Sequence, residues 1–503
     1  MYKPKVKDFV KNLNDRGENL SQRAVRGGFW VFSLRVVQQL FGLARLIIIA
    51  RILSPHDFGL MGIALLTMAT LETFSQTGFQ AALIQRKEDI RSHLDAAWTV
   101  LILRGFILFA MLYLIAPHAA TFFEAPEAKP IIQVIGLAVL LQAFTNIGVI
   151  HFQKELEFNK EFIYQFAGTL ADFIVAVSAV LILGNVWALV FGLLAGSATR
   201  CFMSYLIHPY RPHLSSDLGK VKELFGFGKW IFGSSILMFL ITQGDDIFVG
   251  KLLGVTALGF YQLAYRISNM PATEITHVIS QVTFPAYSKL QDNLPTLREA
   301  YLKTLQLTAF LSFPIAGLIF VLAPDFTMIF LGEKWMPMVP AMQVLVFWGL
   351  IRSIGATTGP IIYATGRPKI LTKYQFFQLI MLIILIYPLT VHWGIFGTSL
   401  AVLFASMGAN ALAFYAAIKI TNCGIYNFIR TISFPLTSSL VAIVSVFLLK
   451  ICWVTPNVLL IPFVLSLIFY GLVYFGVTYL FDRFSAYKIQ HLVKEVFLTS
   501  RGL

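Results

Sequence analysis

The sequence predicts an all-α integral membrane protein of about fourteen transmembrane helices: two parallel-repeat six-helix bundles around a central cavity, plus two extra C-terminal helices. Two observations carry this prediction. The 503 residues are 57% hydrophobic and only 13% charged, and the mean hydropathy of +0.75 excludes an ordinary soluble protein. Residues 28–64 also match residues 228–264 at a fixed offset of 200, without a gap, which indicates an internal duplication.

Each predicted span is an apolar stretch of about 20 residues, the length that crosses a bilayer as a helix. Because lipid offers no hydrogen-bonding partner to an open backbone, a polytopic helical bundle is the expected architecture. The stretches are centred near residues 37, 70, 105, 140, 173, 196, 238, 273, 312, 350, 381, 406, 439 and 468.

The duplication also predicts the domain organisation. Trp30 and Gly59 recur as Trp230 and Gly259, and each repeat holds an even number of helices, so the repeats are expected to be parallel. Duplicated halves with a binding site between them are typical of secondary transporters. The expected parts are a basic segment 1–26, a six-helix bundle 27–206, a linker 207–229, a second bundle 230–419, accessory helices 420–481 and a tail 482–503.

The net charge of +14 is explained by membrane topology. Of the 39 Lys and Arg residues, 28 fall in segments on the amino-terminal side, five in the opposite loops and six inside helices. This bias predicts a multi-pass protein of the bacterial cytoplasmic membrane with both termini in the cytoplasm, facing anionic lipids. Nucleic-acid binding is not expected, since no basic stripe is interleaved with aromatic residues. The three cysteines offer no disulfide framework or metal spacing, so no metal site and no cofactor is expected.

Six short segments together resemble the multidrug/oligosaccharidyl-lipid/polysaccharide exporter superfamily. They are residues 50–60, 85–88, 153–160, 284–287, 332–335 and 350–353, and the most distinctive is QKELEFNK at 153–160. Their order and spacing are similar to the polysaccharide-transporter branch, the Wzx-type flippases of the colanic-acid and teichuronic-acid kind. The resemblance implies alternating access by the two bundles. It also implies a substrate class, undecaprenyl-diphosphate-linked oligosaccharides, moved from the cytoplasmic to the periplasmic leaflet. A polysaccharide polymerase and assembly proteins are further partners that it allows.

A lipid diphosphate needs cations for its phosphates and hydrogen-bonding groups for its sugars, and Arg pairs with phosphate in a bidentate way. Ionisable residues within spanning helices are therefore the first candidates. In the first predicted helix, Arg35, Gln38, Gln39 and Arg45 fall within an arc of about 120°. This stripe lines the cavity or, alternatively, packs against polar groups of neighbouring helices.

The predicted helix near residue 273 carries a second polar stripe that includes Arg266 and Asn269. Pro271 interrupts it and provides either a gating hinge or a static bend. His277 is a candidate proton carrier or a hydrogen-bonding member of the stripe. Arg352, near the middle of the tenth helix, is the favoured single phosphate contact.

Four intramembrane acids are candidates for coupling or gating, with H⁺ or Na⁺ as the ion: Asp172, Asp245, Asp246 and Glu274. Each alternatively neutralises a nearby arginine. Asp245 lies at the position equivalent to Arg45, offset by 200, so the two charges are a hypothetical latch between the bundles.

Two other functions fit the sequence less well. A cation or drug exporter of the same superfamily would favour acids over the arginines found in these helices. A membrane-bound polysaccharide-assembly enzyme would need a large outer loop or a cluster of catalytic residues, and the sequence has neither. A transporter is therefore expected rather than an enzyme.

Overall fold

The computed structural model of the protein describes residues 20–75, 91–155, 157–215, 218–452 and 460–484. For residues 20–29, 91–93, 218–234, 277, 278, 281, 282 and 452 within these helices, the structure describes the backbone alone. The signature at 85–88, the His277 side chain and most of the two terminal segments lie outside what is described. So does part of the predicted linker.

All elements within the described ranges are helical. In chain order they are α1 Leu20–Ile52, α2 Pro55–Phe74, α3 Arg91–Phe122, α4 Ala128–Ala143, α5 Ile150–Lys154, α6 Phe158–Leu183, α7 Trp187–Ile207, α8 Leu218–Leu252, α9 Val255–Leu290, α10 Leu294–Phe326, α11 Val339–Gly355, α12 Thr358–Ala364, α13 Pro368–Thr421, α14 Ile425–Cys452 and α15 Leu460–Phe484. Short 3₁₀ segments precede α5 and α11, and a π-helical turn follows α10.

The helical membrane architecture is confirmed, whereas the number of spans stays a prediction. Every one of the predicted centres falls within a helix. Within the described residues, 10 helices are long and apolar enough to cross a membrane. The number becomes 11 if α4 and α5, which are bent by 66°, form one span. Helix α13 counts once among them although it has 54 residues.

The duplication is visible in the helix boundaries. Helix α1 ends at Ile52 and α2 begins at Pro55, while α8 ends at Leu252 and α9 begins at Val255, again offset by 200. The two breaks use different chemistry. Ser54 caps α2, because its hydroxyl accepts from the Asp57 N–H at 3.2 Å while the Asp57 carboxylate accepts from the Ser54 N–H at 3.0 Å. In the second copy, Gly254 makes the turn with φ of +86°.

The chain divides into two compact units, one up to Phe239 and one from Leu240. The finer domain boundaries stay predictions. In the first unit, α6 and α7 form the closest pair, α1 packs on α6, α4 packs on α7, and α3 packs on α4. Gly192 lies against Ala176 and Asp172, and Gly168 lies under the Arg200 side chain, so two of the glycines let these helices approach closely.

In the second unit, α9, α10 and α13 pack around α11, and the accessory pair α14 and α15 packs against α10. Polar groups fix this pair. The Tyr474 hydroxyl donates to the Phe310 carbonyl at 2.8 Å. Lys450 forms an ion pair with Asp325 and donates to the Val321 carbonyl at 2.9 Å. Intramembrane polar groups are thereby satisfied between helices.

Helix α13 contains one break. At Gly394 the backbone takes φ of +57° and ψ of −139°, a conformation essentially reserved for glycine. The Thr390 and Thr398 hydroxyls lie 2.8 Å apart across the break. The two predicted spans centred near residues 381 and 406 are the two halves of this helix.

Candidate functional site

In the first unit, the polar stripe of α1 faces α6. Arg45 Nη2 lies 3.2 Å from Asp172 Oδ1, and the side chains are 18% and 24% exposed. Seven residues earlier on α1, Gln38 Nε2 donates to Thr169 Oγ1 at 3.5 Å. Positions 169 and 172 lie on one face of α6, so α1 and α6 share a polar seam. For Arg45 and Gln38 these contacts favour the packing alternative, while their role toward a substrate stays a prediction.

The other two stripe residues, Arg35 and Gln39, are half-buried on α1. The seam is sealed by aromatic rings, since Phe41 makes edge contacts with Phe166 at 5.7 Å and Phe173 at 5.2 Å. Aromatic rings therefore pack beside the Arg45–Asp172 ion pair.

In the second unit, two neighbouring carboxylates are held by α9. The Tyr261 hydroxyl donates to Asp245 Oδ2 at 2.6 Å, and Gln262 Nε2 donates to Asp246 Oδ2 at 3.1 Å. Asp245 is 1% exposed, and neither Oδ1 atom accepts a hydrogen bond within the described part of the chain. No Lys or Arg of the described residues pairs with either acid, so the alternative of a neutralising arginine finds no support at this pair.

Arg352 lies in the last turn of α11, and aromatic rings orient it. Its Cζ is 5.7 Å from the centroid of Trp348, four residues earlier, and the Trp348 ring lies 5.0 Å from that of Tyr265 on α9. A guanidinium held on a ring face keeps its N–H edges available. Among the described residues, none accepts a hydrogen bond from Arg352 or forms an ion pair with it.

Asn269 is buried next to this cluster. It is 4% exposed and lies beside Tyr265 and Gly349, and its side chain makes no hydrogen bond of normal geometry within the described residues. Arg266 is exposed on the same helix, one turn earlier. The structure thus brings Asn269 close to the Arg352 cluster, whereas Arg266 points away from the buried core.

Helix α9 runs through Pro271 without ending. Beside this residue lies a cavity of about 10 Å³, the size of one water molecule, which is lined by Ser268, Ser312 and Ser353. The gating role of Pro271 stays a prediction, as do the roles of Glu274, which is half-buried on α9, and His277.

Several contributors were missed from sequence. Thr169 contacts Gln38, 131 residues away along the chain, and Tyr261 contacts Asp245, 16 residues away. Contacts between such separated positions leave no local pattern in the sequence. The contact of Trp348 with Arg352 was visible in the sequence, because residues four positions apart lie on the same face of a helix. Arg104 is a further charged residue within a spanning helix, α3. It donates to the carbonyls of Ser75 at 2.8 Å and Glu72 at 3.2 Å, and so binds the carboxyl end of α2.

The fold and these buried charges define a polytopic α-helical membrane protein with two related halves. Residues 48–340, more than half of the chain, match the family described as "Polysaccharide biosynthesis protein". The chain belongs to this family, which confirms the branch that the sequence segments indicated.

Two curated relatives and one solved structure illustrate the similarity. Lipopolysaccharide biosynthesis protein WzxC of Escherichia coli (strain K12) is 28% identical over 411 residues, 80% of this chain and 82% of that protein. Succinoglycan biosynthesis transport protein ExoT of Rhizobium meliloti (strain 1021) is 24% identical over 343 residues, 63% of this chain and 69% of that protein. The lipid II flippase MurJ in its inward closed conformation superposes with a TM-score of 0.71 at 15% identity, over 91% of this chain and 99% of that chain. The last similarity establishes the fold.

Proposed function

We propose that this protein is a flippase. It moves undecaprenyl-diphosphate-linked oligosaccharide repeat units across the bacterial cytoplasmic membrane by alternating access, for exopolysaccharide or lipopolysaccharide synthesis. It performs no chemical conversion. The family, the names of WzxC and ExoT and the fold shared with MurJ support this function.

The observation that carries the proposal is Arg352. A permanently charged guanidinium in an apolar helix is costly unless something compensates it. Trp348 supports the cation on one face, yet no described residue accepts its N–H groups. A diphosphate oxygen pair matches the planar fork of arginine in a bidentate geometry. In this proposal Arg352 receives the substrate phosphate, and Asn269, buried beside the same cluster, contributes amide hydrogen bonds.

In this proposal the coupling ion binds at Asp245 and Asp246. These adjacent carboxylates are held by hydrogen bonds from Tyr261 and Gln262 and have no basic partner within the described residues. Two buried carboxylates without a basic partner favour binding of a cation, H⁺ or Na⁺, which neutralises charge inside the membrane. Asp172 is a weaker candidate because Arg45 already neutralises it.

The partners and the orientation follow from the same proposal. The basic segments predicted on the amino-terminal side face the cytoplasmic leaflet, with both termini in the cytoplasm. The lipid tail remains in the bilayer while the sugars cross. A polysaccharide polymerase on the periplasmic side then consumes the translocated unit.

Reconstitution tests the proposal. Proteoliposomes that contain a fluorescently tagged undecaprenyl-diphosphate oligosaccharide are treated with a membrane-impermeant sugar oxidase, which reports the substrate in the outer leaflet. We expect the protected inner pool to become accessible faster than in protein-free liposomes. Arg352→Ala should lower the rate at least about tenfold, the loss of one charge-assisted bidentate contact. Arg430→Ala, which removes an exposed arginine of α14, is the matched control and should keep the wild-type rate.

Two results would contradict the proposal. One is a rate equal to that of protein-free liposomes. The other is efflux of a lipophilic cation with no translocation of the lipid-linked oligosaccharide, which would instead favour the cation exporter.

A further inference from the structure

A cavity of about 330 Å³ with a partly polar wall lies entirely within the first unit, and Arg352, Asp245 and Asp246 do not line it. It is bounded by α3, the end of α4, α5, the start of α6 and the last turns of α7. This end of the unit is the one that the charge pattern predicts to be cytoplasmic. The volume falls at the lower end of the range for small-molecule sites.

The cavity exists because the chain bends by 66° between α4 and α5. Asn146 builds this bend and is fully buried. Its N–H donates to Ser204 Oγ at 2.9 Å, its Oδ1 accepts from the Gly148 N–H at 2.9 Å, and its Nδ2 donates to the Tyr210 carbonyl at 2.6 Å. With every polar group of Asn146 bonded, the bend is a fixed feature rather than a packing defect.

Three polar side chains, each from a different helix, line the cavity without a side-chain hydrogen bond to the described residues. Arg200 of α7, Gln165 of α6 and Gln142 of α4 all line it, and none makes a side-chain hydrogen bond within the described residues. Gln142 is exposed, so the cavity opens on that side, whereas Arg200 and Gln165 are half-buried. Arg200 therefore faces this cavity although it lies near the end of an apolar helix.

The absence of a side chain at Gly168 leaves space for the Arg200 side chain. The Arg200 side chain crosses α6 at Gly168, where a Cβ atom would collide with both the aliphatic part and the guanidinium. The position of the cation over the cavity therefore depends on a residue without a side chain.

The lining identifies the ligand class. Glu161 also faces the cavity, and its Oε1 accepts from Gln153 Nε2 at 2.7 Å, so one cation is matched by one anion. This balance does not suit a phosphate. Glutamine amides, a carboxylate and a guanidinium donate to and accept from vicinal hydroxyl groups. Apolar residues such as Ile150 and Phe152 complete the wall and suit the C–H faces of a pyranose ring.

We infer that this cavity is a binding site for one hexose-sized sugar unit, with Arg200, Gln165 and Glu161 as its hydrogen-bonding groups. The inference goes beyond the proposed function, since the site lies in the first unit and Arg352 in the second. A free sugar would bind there whether or not the protein translocates a lipid.

Binding of free monosaccharides to the full-length protein tests the site. The protein is placed in phosphatidylcholine nanodiscs, because maltoside and glucoside detergents carry competing sugars. Radiolabelled glucose, galactose and N-acetylglucosamine are measured by equilibrium dialysis. We expect saturable binding of at least one of them. Arg200→Gln, Gln165→Ala and Gly168→Ala should each weaken it at least about tenfold, the loss of a buried polar contact.

Arg211→Gln is the matched control. Arg211 is exposed at the same end of the unit, donates to the carbonyls of His208 and Tyr210, and does not line the cavity. Its substitution should leave sugar binding unchanged. Gln165→Ala keeps every charge, so it carries the test if Arg200→Gln fails to fold.

Three results would overturn the inference: no saturable sugar binding by the wild type, equal binding by the cavity variants, or complete displacement of the sugar by inorganic phosphate. The last would assign the cavity to an anion. None of these results bears on translocation, so failure of this inference and failure of the proposed function are distinguishable.

Discussion

Arg45 Nη2 lies 3.2 Å from Asp172 Oδ1, and this ion pair joins α1 to α6 inside the first unit. Both side chains are mostly buried, so removing one of them takes the ion-pair partner from a buried charge, at a cost of about 3–5 kcal/mol. We expect Arg45→Ala and Asp172→Ala each to lower the thermal midpoint of the purified protein. The double variant should lose less than the sum of the two. Strict additivity in this double-mutant cycle would show that the pair contributes no coupling.

Trp348 positions Arg352 for its proposed ligand. We expect Trp348→Leu to slow translocation of the lipid-linked substrate several-fold, because the guanidinium loses its ring support. Arg352→Lys should also be slow, since an ammonium group cannot form the bidentate contact. Initial rates in proteoliposomes measure both variants. A fully active Arg352→Lys variant would argue against bidentate phosphate recognition.

The break in α13 lies at Gly394, and substitution of this residue tests how much the positive φ angle there costs in stability. An added Cβ would meet no atom within 4 Å, so Gly394→Ala introduces only the strain of φ at +57°, of order 1–3 kcal/mol. We expect a lower thermal midpoint. Gly471→Ala, at an equally open but ordinary helical position in α15, is the matched control and should be neutral or slightly stabilising. Equal midpoints for the two variants would contradict the strain argument.

His208 gives the first unit a pH dependence. Burial, and secondarily the neighbouring His151, Lys160 and Arg211, lower the pKa of this imidazole from 6.5 to about 4. Because the unfolded chain takes up the proton at the higher pH, His208 contributes stability that is complete above about pH 6.5 and is lost as the pH falls toward 4. We expect the thermal midpoint to fall between pH 7 and pH 4.5, and to fall less in His208→Gln. Parallel pH profiles of the two proteins would refute this role.

The fold was predictable because its signals are local or repeated along the chain. Hydropathy placed a helix at each of the expected centres, and the offset of 200 predicted related halves, which the boundaries at Ile52 and Leu252 reproduce. The number of membrane crossings is harder to predict. Helix α9 is too polar to be recognised as a span by hydropathy, and the bent helix α13 is counted as one span although it has 54 residues.

The site was less predictable because its contacts join distant parts of the chain. The stripe on α1 identified Arg45, but nothing in the sequence near it pointed to Asp172 on α6. The cavity around Arg200 depends on the bend at Asn146 and on the space above Gly168, and neither produces a recognisable motif. Arg352, in contrast, was predicted from its charge and family-like context, and its contact with Trp348, four residues earlier on the same helix face, was also predictable.

The leaflet distribution of the lipid-linked repeat unit in living cells tests the flippase proposal most directly. Cells depleted of the protein, while still synthesising the intermediate, are probed with a sugar-modifying enzyme restricted to the periplasm. The proposal predicts that the intermediate accumulates out of reach of the enzyme. Wild-type protein should restore access, and Arg352→Ala should not. An intermediate that reaches the periplasm at the normal rate without the protein would contradict the proposal.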